Sequence, residues 1–599
     1  MTQGLDPSSH GGRSISSTIS VEKPRHVLTI PAWAQWWGLA LGCLVLYLTG
    51  ASGFDLLTDD EIRYAEAGRR MIESGDWILP EYNGYPRYQK PILFYWLQAL
   101  SQLVFGSNAW AARLPAALAA VGVVMLTARL GAALWGLRAG IWAGLALALS
   151  VEMVLLARMA MTDVVLLLFL QGALTCFCLA QIGQSPRVER RLYRWMYLFS
   201  ALGVLTKGPI AVVLPGAVII PWLAARRELW QKLRQMRPWE GFIVLVAVAG
   251  PWYYWVDWHT HGSFTRHFFF EENLGRFTAV VNEHHQPAVF YWLLLVPMTF
   301  PWTGFLPGAI RDVANAPWRA ASFGDVARWF FLLQIVVVLG LFSFSQTKVW
   351  TYILPLFPAL GLLTGRWLAN QFDADTVPGM VKPLAWLFAV AAVGVTIAAF
   401  VWPRDRLPLE LRSDLVMDSL ILCLGLFCVF SLAVLRVLYC GSLQRACIVL
   451  VAGTGLWCLT ACLLFLPSYD RHWNQPLREA ASTMRAYSDP KAVVYRMHEL
   501  GLNFHSGIPI VRQWREGCRG SLETLLSSHE PIFVLCPRKY LTELEGLNFR
   551  VWGENPRFVW GANFQREVSS PAVKVESAET TAARCNPGTN CMAGWSNHW

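Results

Sequence analysis

Charge is scarce in this 599-residue chain. Asp, Glu, Lys and Arg make up 15% of it, against about 25% in soluble domains. Hydrophobic residues reach 55% and mean hydropathy is +0.37. That shortage excludes an ordinary cytosolic enzyme and any disordered or collagen-like chain. A secretory signal pattern is also missing: the first apolar run begins near Pro31, after a Ser-, Gly- and Arg-containing stretch over 1–32 that reads as a disordered cytoplasmic tail. No repeat of fixed period runs through the sequence. The formal charge of +10 comes without a basic arm or recognition helix. Lys and Arg sit instead in short clusters between apolar runs, the arrangement that orients membrane proteins. Cysteine is confined as well. Nine of the 13 lie in apolar runs, where a reduced thiol behaves as a small hydrophobe. Cys518, Cys536, Cys585 and Cys591 follow later, without zinc-finger spacing; an oxidising compartment permits disulfides among them in three connectivities.

Long apolar runs are what the sequence has. A membrane span needs about 20 mostly apolar residues. Thirteen segments read as spans: 33–50, 109–134, 138–157, 162–182, 195–206, 209–225, 240–257, 288–308, 329–345, 351–370, 384–402, 415–436 and 445–467. The fifth and sixth are short and broken by Gly and Pro, like half-spans. With the N-terminus inside, the cytoplasmic loops carry Arg129 and Arg138, then Arg187, Arg190, Arg191 and Arg194, then Arg226, Arg227, Lys232, Arg234 and Arg237, then Arg311, Arg319 and Arg328. The opposite loops hold fewer basic residues and mix them with acids. This is positive-inside asymmetry, and an odd number of spans puts the C-terminus outside. The 30 Trp, 32 Phe and 17 Tyr fit interfacial belts and an aromatic-lined cavity.

Two outer loops are long, 51–108 and 258–287. The first holds two amphipathic stretches, EIRYAEAGRRMIESGDW and PILFYWLQALSQLVFG, expected as helices in the membrane interface with the apolar face down. After Pro467 the composition shifts. KAVVYRM, PIVRQW, PIFVLC and FRVWG read as short strands, and 475–487 and 521–529 as helices. The expected organisation is a tail over 1–32, a transmembrane catalytic domain over 33–467, a periplasmic α/β domain over 468–574 and a disordered tail over 575–599.

Ionisable residues at the edges of apolar spans are costly and mark function by default. Six groups fall on the outer side of this topology. Asp59-Asp60-Glu61 with Arg63 follows the first span, as a base or cation site or as an acidic helix start. Lys90, before Pro91, either reaches an anion or snorkels. Arg158 and Asp163 flank a span junction and either act separately or pair with each other. Lys207-Gly208-Pro209 marks a broken helix of the kind tolerated where backbone lines a cavity. The run His267 to Phe277 carries Glu271, Glu272, Asn273 and Arg276; the arginine either grips a phosphate or sits on a solvated helix. Lys348 and Tyr352 enter the tenth span, as a phenolic donor or as a belt residue. His259, His261, His284 and His285 form no complete metal-ligand pattern. Together the groups put several cations and two acids on one face of a helical bundle, which suits a lipid phosphate or pyrophosphate.

The stretch DDEIRYAEAGRRMIESGDWILPEYNGYPRYQKPILFYW resembles the first periplasmic loop of GT-C class membrane glycosyltransferases, and RMAMTD, LTKGP, EENLGRF and TKVWTYILP follow in the order of that family. The nearest groups are the protein O-mannosyltransferases and the bacterial enzymes that attach 4-amino-4-deoxy-L-arabinose to lipid A. The resemblance implies an α-helical polytopic protein of about thirteen spans with a small C-terminal α/β periplasmic domain, in the bacterial inner membrane. The donor would be a polyprenyl-phosphate sugar and the acceptor lipid A. Alternatives are a protein hydroxyl, another glycolipid or a polysaccharide, or a non-enzymatic lipid transporter. By position, Asp60 and Asp163 would be catalytic. Lys90, Arg276, Tyr352 and Lys207 would bind the donor phosphate, and Arg63, Glu61 and Arg158 would support the site. Gln89 and Asn273 stand where aminoarabinose-transferring relatives often have Glu and His, so a divalent cation is not required by this sequence.

Overall fold

The computed structural model describes residues 31–183, 185–275, 286–320, 322–374, 377–379, 381–402, 411, 413–485, 491–497, 501–508, 510–514 and 519–564. Its first nine helices are α1 (Ala32–Leu48), α2 (Asp59–Ser74), α3 (Leu93–Phe105), α4 (Ala109–Trp135), α5 (Leu137–Ala148), α6 (Val151–Ala157), α7 (Thr162–Ala180), α8 (Pro186–Lys207) and α9 (Ile210–Ala225). Among the described residues seven helices are long and apolar enough to cross a membrane, or nine if each of two bent pairs is one span. The bent pairs are α5 with α6, broken by 66°, and Phe290–Met298 with Thr303–Ala314, broken by 108°. Sequence periodicity read each as one continuous run. The first break is held by tertiary contact, since Val151 donates its N–H to the Phe300 carbonyl of the second pair.

The bundle has two kinds of helix surface. Helices Val381–Val401 and Asp414–Tyr439 are apolar all round, yet large side chains such as Leu387, Phe400, Leu422 and Val429 stand exposed. Such a surface requires lipid as its solvent. The opposite case is α5 against helix Phe357–Ala374. A Cβ on Gly365 would lie 2.2 Å from the Ala143 backbone nitrogen, so the two backbones meet with no side chain between them. Close approach through small residues is how helices gain packing energy where no hydrophobic effect drives them together.

The first long loop folds as a platform. Thr58 caps α2, accepting from the Glu61 N–H, and Asp59, Asp60 and Glu61 fill its first turn, where the helix dipole favours acids. Helix α3 exposes Leu100, Leu103, Val104 and Phe105, the apolar face expected toward the membrane. Helix α2 departs from that expectation. Its inner face lies on α3, so closely that a Cβ on Gly68 would meet Gln98 at 2.8 Å. Arg70 on the other side donates to the Gly507 carbonyl of the C-terminal unit at 3.3 Å. An amphipathic pattern alone cannot distinguish lipid from a second protein layer.

The C-terminal unit contains a five-stranded sheet. Numbered after a small hairpin, β1 (Glu81–Tyr82) and β2 (Tyr85–Pro86), its strands are β3 (Lys491–Tyr495), β4 (Ile510–Trp514), β5 (Ile532–Pro537), β6 (Arg550–Glu554) and β7 (Phe558–Ala562), in the order β4-β3-β5-β7-β6. The first three are parallel and β7 runs antiparallel to β5 and β6. Side chains alternate: Ala492 and Val494 join a core with Leu477 and Met484 of helix Gln475–Arg485, while Val493 and Tyr495 join one with Leu522 and Leu526 of helix Arg519–Leu526. Burial on both faces explains the unbroken apolar runs of β3 and β5. Four strands match the sequence reading; β7 was not anticipated. Cys536 on β5 is a buried free thiol, and Cys518, Cys585 and Cys591 lie outside the described residues.

The loop platform docks on this unit through Asn83 and Asp55. Asn83 forms both hydrogen bonds of a strand neighbour with Ile510, donating to its carbonyl at 2.6 Å and accepting from its N–H at 2.5 Å. Asp55 meets His505 and Arg478, the latter at 3.3 Å.

Candidate active site

One buried ion pair fixes the platform to the bundle. Arg113 on α4 donates to Glu61 at 3.2 Å and to the carbonyls of Ala51, Phe54 and Asp55. Glu61 also accepts from the N–H groups of Leu57 and Ala160. Both side chains are buried, and the carbonyl and N–H partners are what make such a pair tolerable. Arg158 does not pair with Asp163. It donates at 2.6 Å to the carbonyls of Leu46 and Thr49, capping the end of α1. Arg63 lies 3.7 Å from both Asp59 and Asp60.

Asp163 instead pairs with Lys207, at 2.8 Å. Asp163 opens α7, and Lys207 is the last residue of α8. Helix α8 stops there because Gly208 takes φ 87°, and a Cβ at that position would also strike the Phe268 ring at 2.5 Å. The break aims the Lys207 ammonium inward, 5.5 Å above the Tyr352 ring. Tyr352 stacks obliquely on Phe342 at 5.1 Å.

Lys90 approaches this pair from the first loop. Its ammonium donates to the Gln89 carbonyl at 3.1 Å and stands 3.8 Å from Glu272. Lys90, Asp163, Lys207 and Tyr352 line a single cavity of about 160 Å³, together with Glu272, Asn273, Ser345 and Thr351. Its remaining wall is apolar, formed by Leu166, Leu170, Ile210, Phe342, Leu354 and Pro355. A cavity with cations and acids at one part and alkyl and aromatic groups at another fits an amphiphile with an anionic head. Lys348, from the same motif as Tyr352, turns away and donates to the Ser345 carbonyl at 2.6 Å. Arg276, His284 and His285 lie outside the described residues.

Asp60 belongs to the adjoining cluster. Arg87 is buried, donates to the Tyr95 hydroxyl at 3.1 Å and lies 5.4 Å from the centre of the Tyr64 ring. Burial first, then the carboxylates of Asp60 and Asp163, raise the Tyr64 phenol well above its ordinary range. Burial likewise raises Tyr95, with Asp60 and Glu272 adding to it against the Arg87 charge. Three acids from three parts of the chain therefore act on one Arg–Tyr–Tyr cluster. Sequence reading did not single out Arg87, which sits in a polar loop with nothing to mark it as buried. It quoted Glu272 only as one of an acidic pair. His267 meets both members of that pair, at 2.7 Å from Glu271 and 3.9 Å from Glu272.

The two positions that bear on a cation hold amides. The Asn273 amide donates to the Phe268 carbonyl at 2.7 Å. Among the described residues no three His, Cys, Asp or Glu side chains converge as a metal set.

A family model described as dolichyl-phosphate-mannose-protein mannosyltransferase matches residues 89–255. The chain is 31% identical over 371 residues to an undecaprenyl phosphate-α-4-amino-4-deoxy-L-arabinose arabinosyl transferase from Edwardsiella ictaluri, covering 61% of this chain and 66% of that protein. It is 32% identical over 389 residues to a transferase of the same description from Sodalis glossinidius, covering 63% and 68%. The matches thus span just under two thirds of the first of these relatives and slightly more of the second. Among solved structures, the fold is similar to ArnT from Cupriavidus metallidurans bound to undecaprenyl phosphate, with a TM-score of 0.76 at 21% identity over 88% of this chain and 98% of that one.

Proposed function

Since the chain belongs to the family of the undecaprenyl phosphate-α-4-amino-4-deoxy-L-arabinose arabinosyl transferases, within the GT-C class, we propose that it transfers a sugar from undecaprenyl phosphate to lipid A at the periplasmic face of the bacterial inner membrane. The observation that carries this reading is the convergence of Lys90, Asp163, Lys207 and Tyr352 on one amphiphilic cavity. The prenyl chain would lie against Leu166, Leu170 and Ile210, and the donor phosphate would meet the two ammonium groups. The model match over 89–255 includes Lys90, Asp163 and Lys207. It therefore supports donor chemistry common to the mannosyl and aminoarabinosyl enzymes and does not bear on the acceptor.

The reaction needs one bond made and one broken at the anomeric carbon. An oxygen of the lipid A phosphate attacks C1, and the C1–O bond to undecaprenyl phosphate breaks. The leaving phosphate gains a negative charge at that moment. Lys90 and Lys207 would stabilise it, with Arg276 as a third cation by position in its motif. Fixed charge aimed at a leaving group is commonly a leading catalytic contribution. A phosphate acceptor is already ionised, so no general base is required. Asp60 and Asp163 would orient the reactants and hold a cationic sugar amine. Asp60 would act as base if the acceptor were a hydroxyl.

The topology belongs to the same proposal. Adding α1, α8, α9 and helix Pro238–His259 to the nine candidate spans gives thirteen. Helix Pro238–His259 has 22 residues, about 33 Å at 1.5 Å per residue, with exposed Trp239 at one end and Trp255 and Trp258 at the other as an aromatic belt requires. The Arg-rich ends at Arg187–Arg194 and Arg226–Arg237 would face the cytoplasm, and the platform with the C-terminal unit the periplasm. The domains would then be the transmembrane part over 33–467 and the α/β unit over 468–574.

Mass spectrometry of lipid A tests the function. Expressed in a strain whose own aminoarabinosyl transferase has been deleted but whose donor synthesis is intact, the chain should restore the mass increment of one aminoarabinose. Unmodified lipid A beside a correctly inserted protein would reject lipid A as acceptor.

A further inference from the structure

A second and larger cavity, of about 740 Å³, opens between the platform and the C-terminal unit. Its floor is Ser52 to Asp55 after α1 with Ser107 and Asn108 before α4. Its roof is helix Leu466–Trp473 continued by helix Gln475–Arg485, which present Arg471, Arg478 and Arg485. Arg478 and Arg485 are seven residues apart on one helix, a step that drifts by only about 20°, so they share a side, and Arg471 on the preceding helix lines the same cavity.

Their partners differ. Arg478 is occupied, 2.6 Å from Asp470 and 3.3 Å from Asp55, and Asp55 also holds His505. Among the described residues, Asp470 and Asp55 are the only carboxylates lining the cavity. Arg471 and Arg485 are exposed to it, and among the described residues neither has a carboxylate within ion-pair range. Among the described residues the cavity therefore carries two guanidinium groups without a carboxylate partner, and their fork geometry matches phosphate.

The surroundings identify the kind of anion. Leu103, Val104 and Phe105 on α3 stand exposed immediately before the lining residues Ser107 and Asn108, and exposed Leu463 and Leu464 precede Pro467. Apolar, lipid-facing side chains thus lead into both sides of a cationic chamber. Asp55 in its wall is five residues from Asp60, and five residues of extended chain reach at most ~18 Å. We propose that this cavity binds a second anionic group of the acceptor glycolipid, with Arg471 and Arg485 gripping a phosphate remote from the one that accepts the sugar. The assignment rests on the proposed function for the identity of the acceptor.

The test reads binding without turnover. Full-length protein in nanodiscs is titrated with bisphosphorylated lipid A, with monophosphoryl lipid A and, separately, with undecaprenyl phosphate. Wild type should prefer the bisphosphorylated lipid by about ten-fold or more, the scale of a lost charged hydrogen bond. The double variant Arg471→Gln/Arg485→Gln should lose that preference and keep its affinity for undecaprenyl phosphate. A double variant that retains the preference overturns the site. Release of bound lipid by millimolar inorganic phosphate would assign the chamber to free phosphate and overturn the lipid reading. Should the double variant fail to fold, Ser482→Glu, which adds a carboxylate to the same chamber from an exposed position, should abolish the preference; an unchanged preference would again overturn the site. A protein that binds both lipids as described yet transfers no sugar would sink the proposed reaction and leave this site standing.

Discussion

Lys207 and Asp163, 44 residues apart in the chain, meet at 2.8 Å where one helix ends and another begins. With Lys90 and Glu272 the pair makes up the charged part of the proposed donor cavity. Replacing either lysine by alanine should remove one phosphate contact and lower kcat/KM by about 10²–10³-fold, with most of the Lys90→Ala effect in donor affinity. Titration with undecaprenyl phosphate, the carrier part of the donor, checks this; unchanged affinity in both variants would remove the lysines from binding the carrier phosphate.

Asp60 is half-exposed on the first turn of α2 and is not part of the buried framework. Asp60→Asn should therefore leave insertion and thermal unfolding as in wild type while lowering transfer at least ~10²-fold. Normal turnover by the variant would take Asp60 out of the reaction.

Arg113 and Glu61 carry the opposite expectation. Arg113→Ala would strand the buried Glu61 carboxylate and three carbonyls, and breaking a buried pair from one side costs about 3–5 kcal/mol. The variant should unfold at a clearly lower temperature in detergent. A midpoint within error of wild type would show that the pair does not anchor the platform.

The docking of platform on C-terminal unit should depend on acid. Burial alone would raise the Asp55 carboxyl, but the His505 hydrogen bond and charge, the Leu56 N–H and Arg478 outweigh it and hold it below the ordinary range. A carboxyl depressed in the folded state contributes stability above its unfolded pKa, near 3.9, and loses it as pH falls through the folded value. Hydrogen exchange over 501–514, corrected for the intrinsic rate, should rise as pH falls below about 4. Asp55→Asn should exchange faster at neutral pH and lose the acid response; an identical profile would separate Asp55 from docking.

Much of this was legible in the sequence, for an identifiable reason. Apolar runs ended by Arg, Gly or Pro translate directly into helices such as α4 and α7, and LTKGP announces the break at Gly208. The breaks at Ser150 and Pro301 were hidden, because the runs stay apolar through them and the first bend is held by the Val151 to Phe300 hydrogen bond. Pairing was harder still. Arg158 and Asp163 look like partners five residues apart, and each finds another: the end of α1 for one, Lys207 for the other. Arg87 was invisible because burial of a loop arginine is decided by Tyr64 and Tyr95, which arrive from two helices.

Both lysines of the proposed donor cavity already hold a carboxylate, Lys207 that of Asp163 and Lys90 that of Glu272. An arriving donor must compete with these internal anions for the ammonium groups. So must the spent carrier, which departs with one more negative charge than it brought. Bare lysines would grip that product harder than the substrate and stall each cycle at release. On the proposed reaction, acids kept within reach would let the protein take its cations back, so the contacts that weaken capture would also speed release.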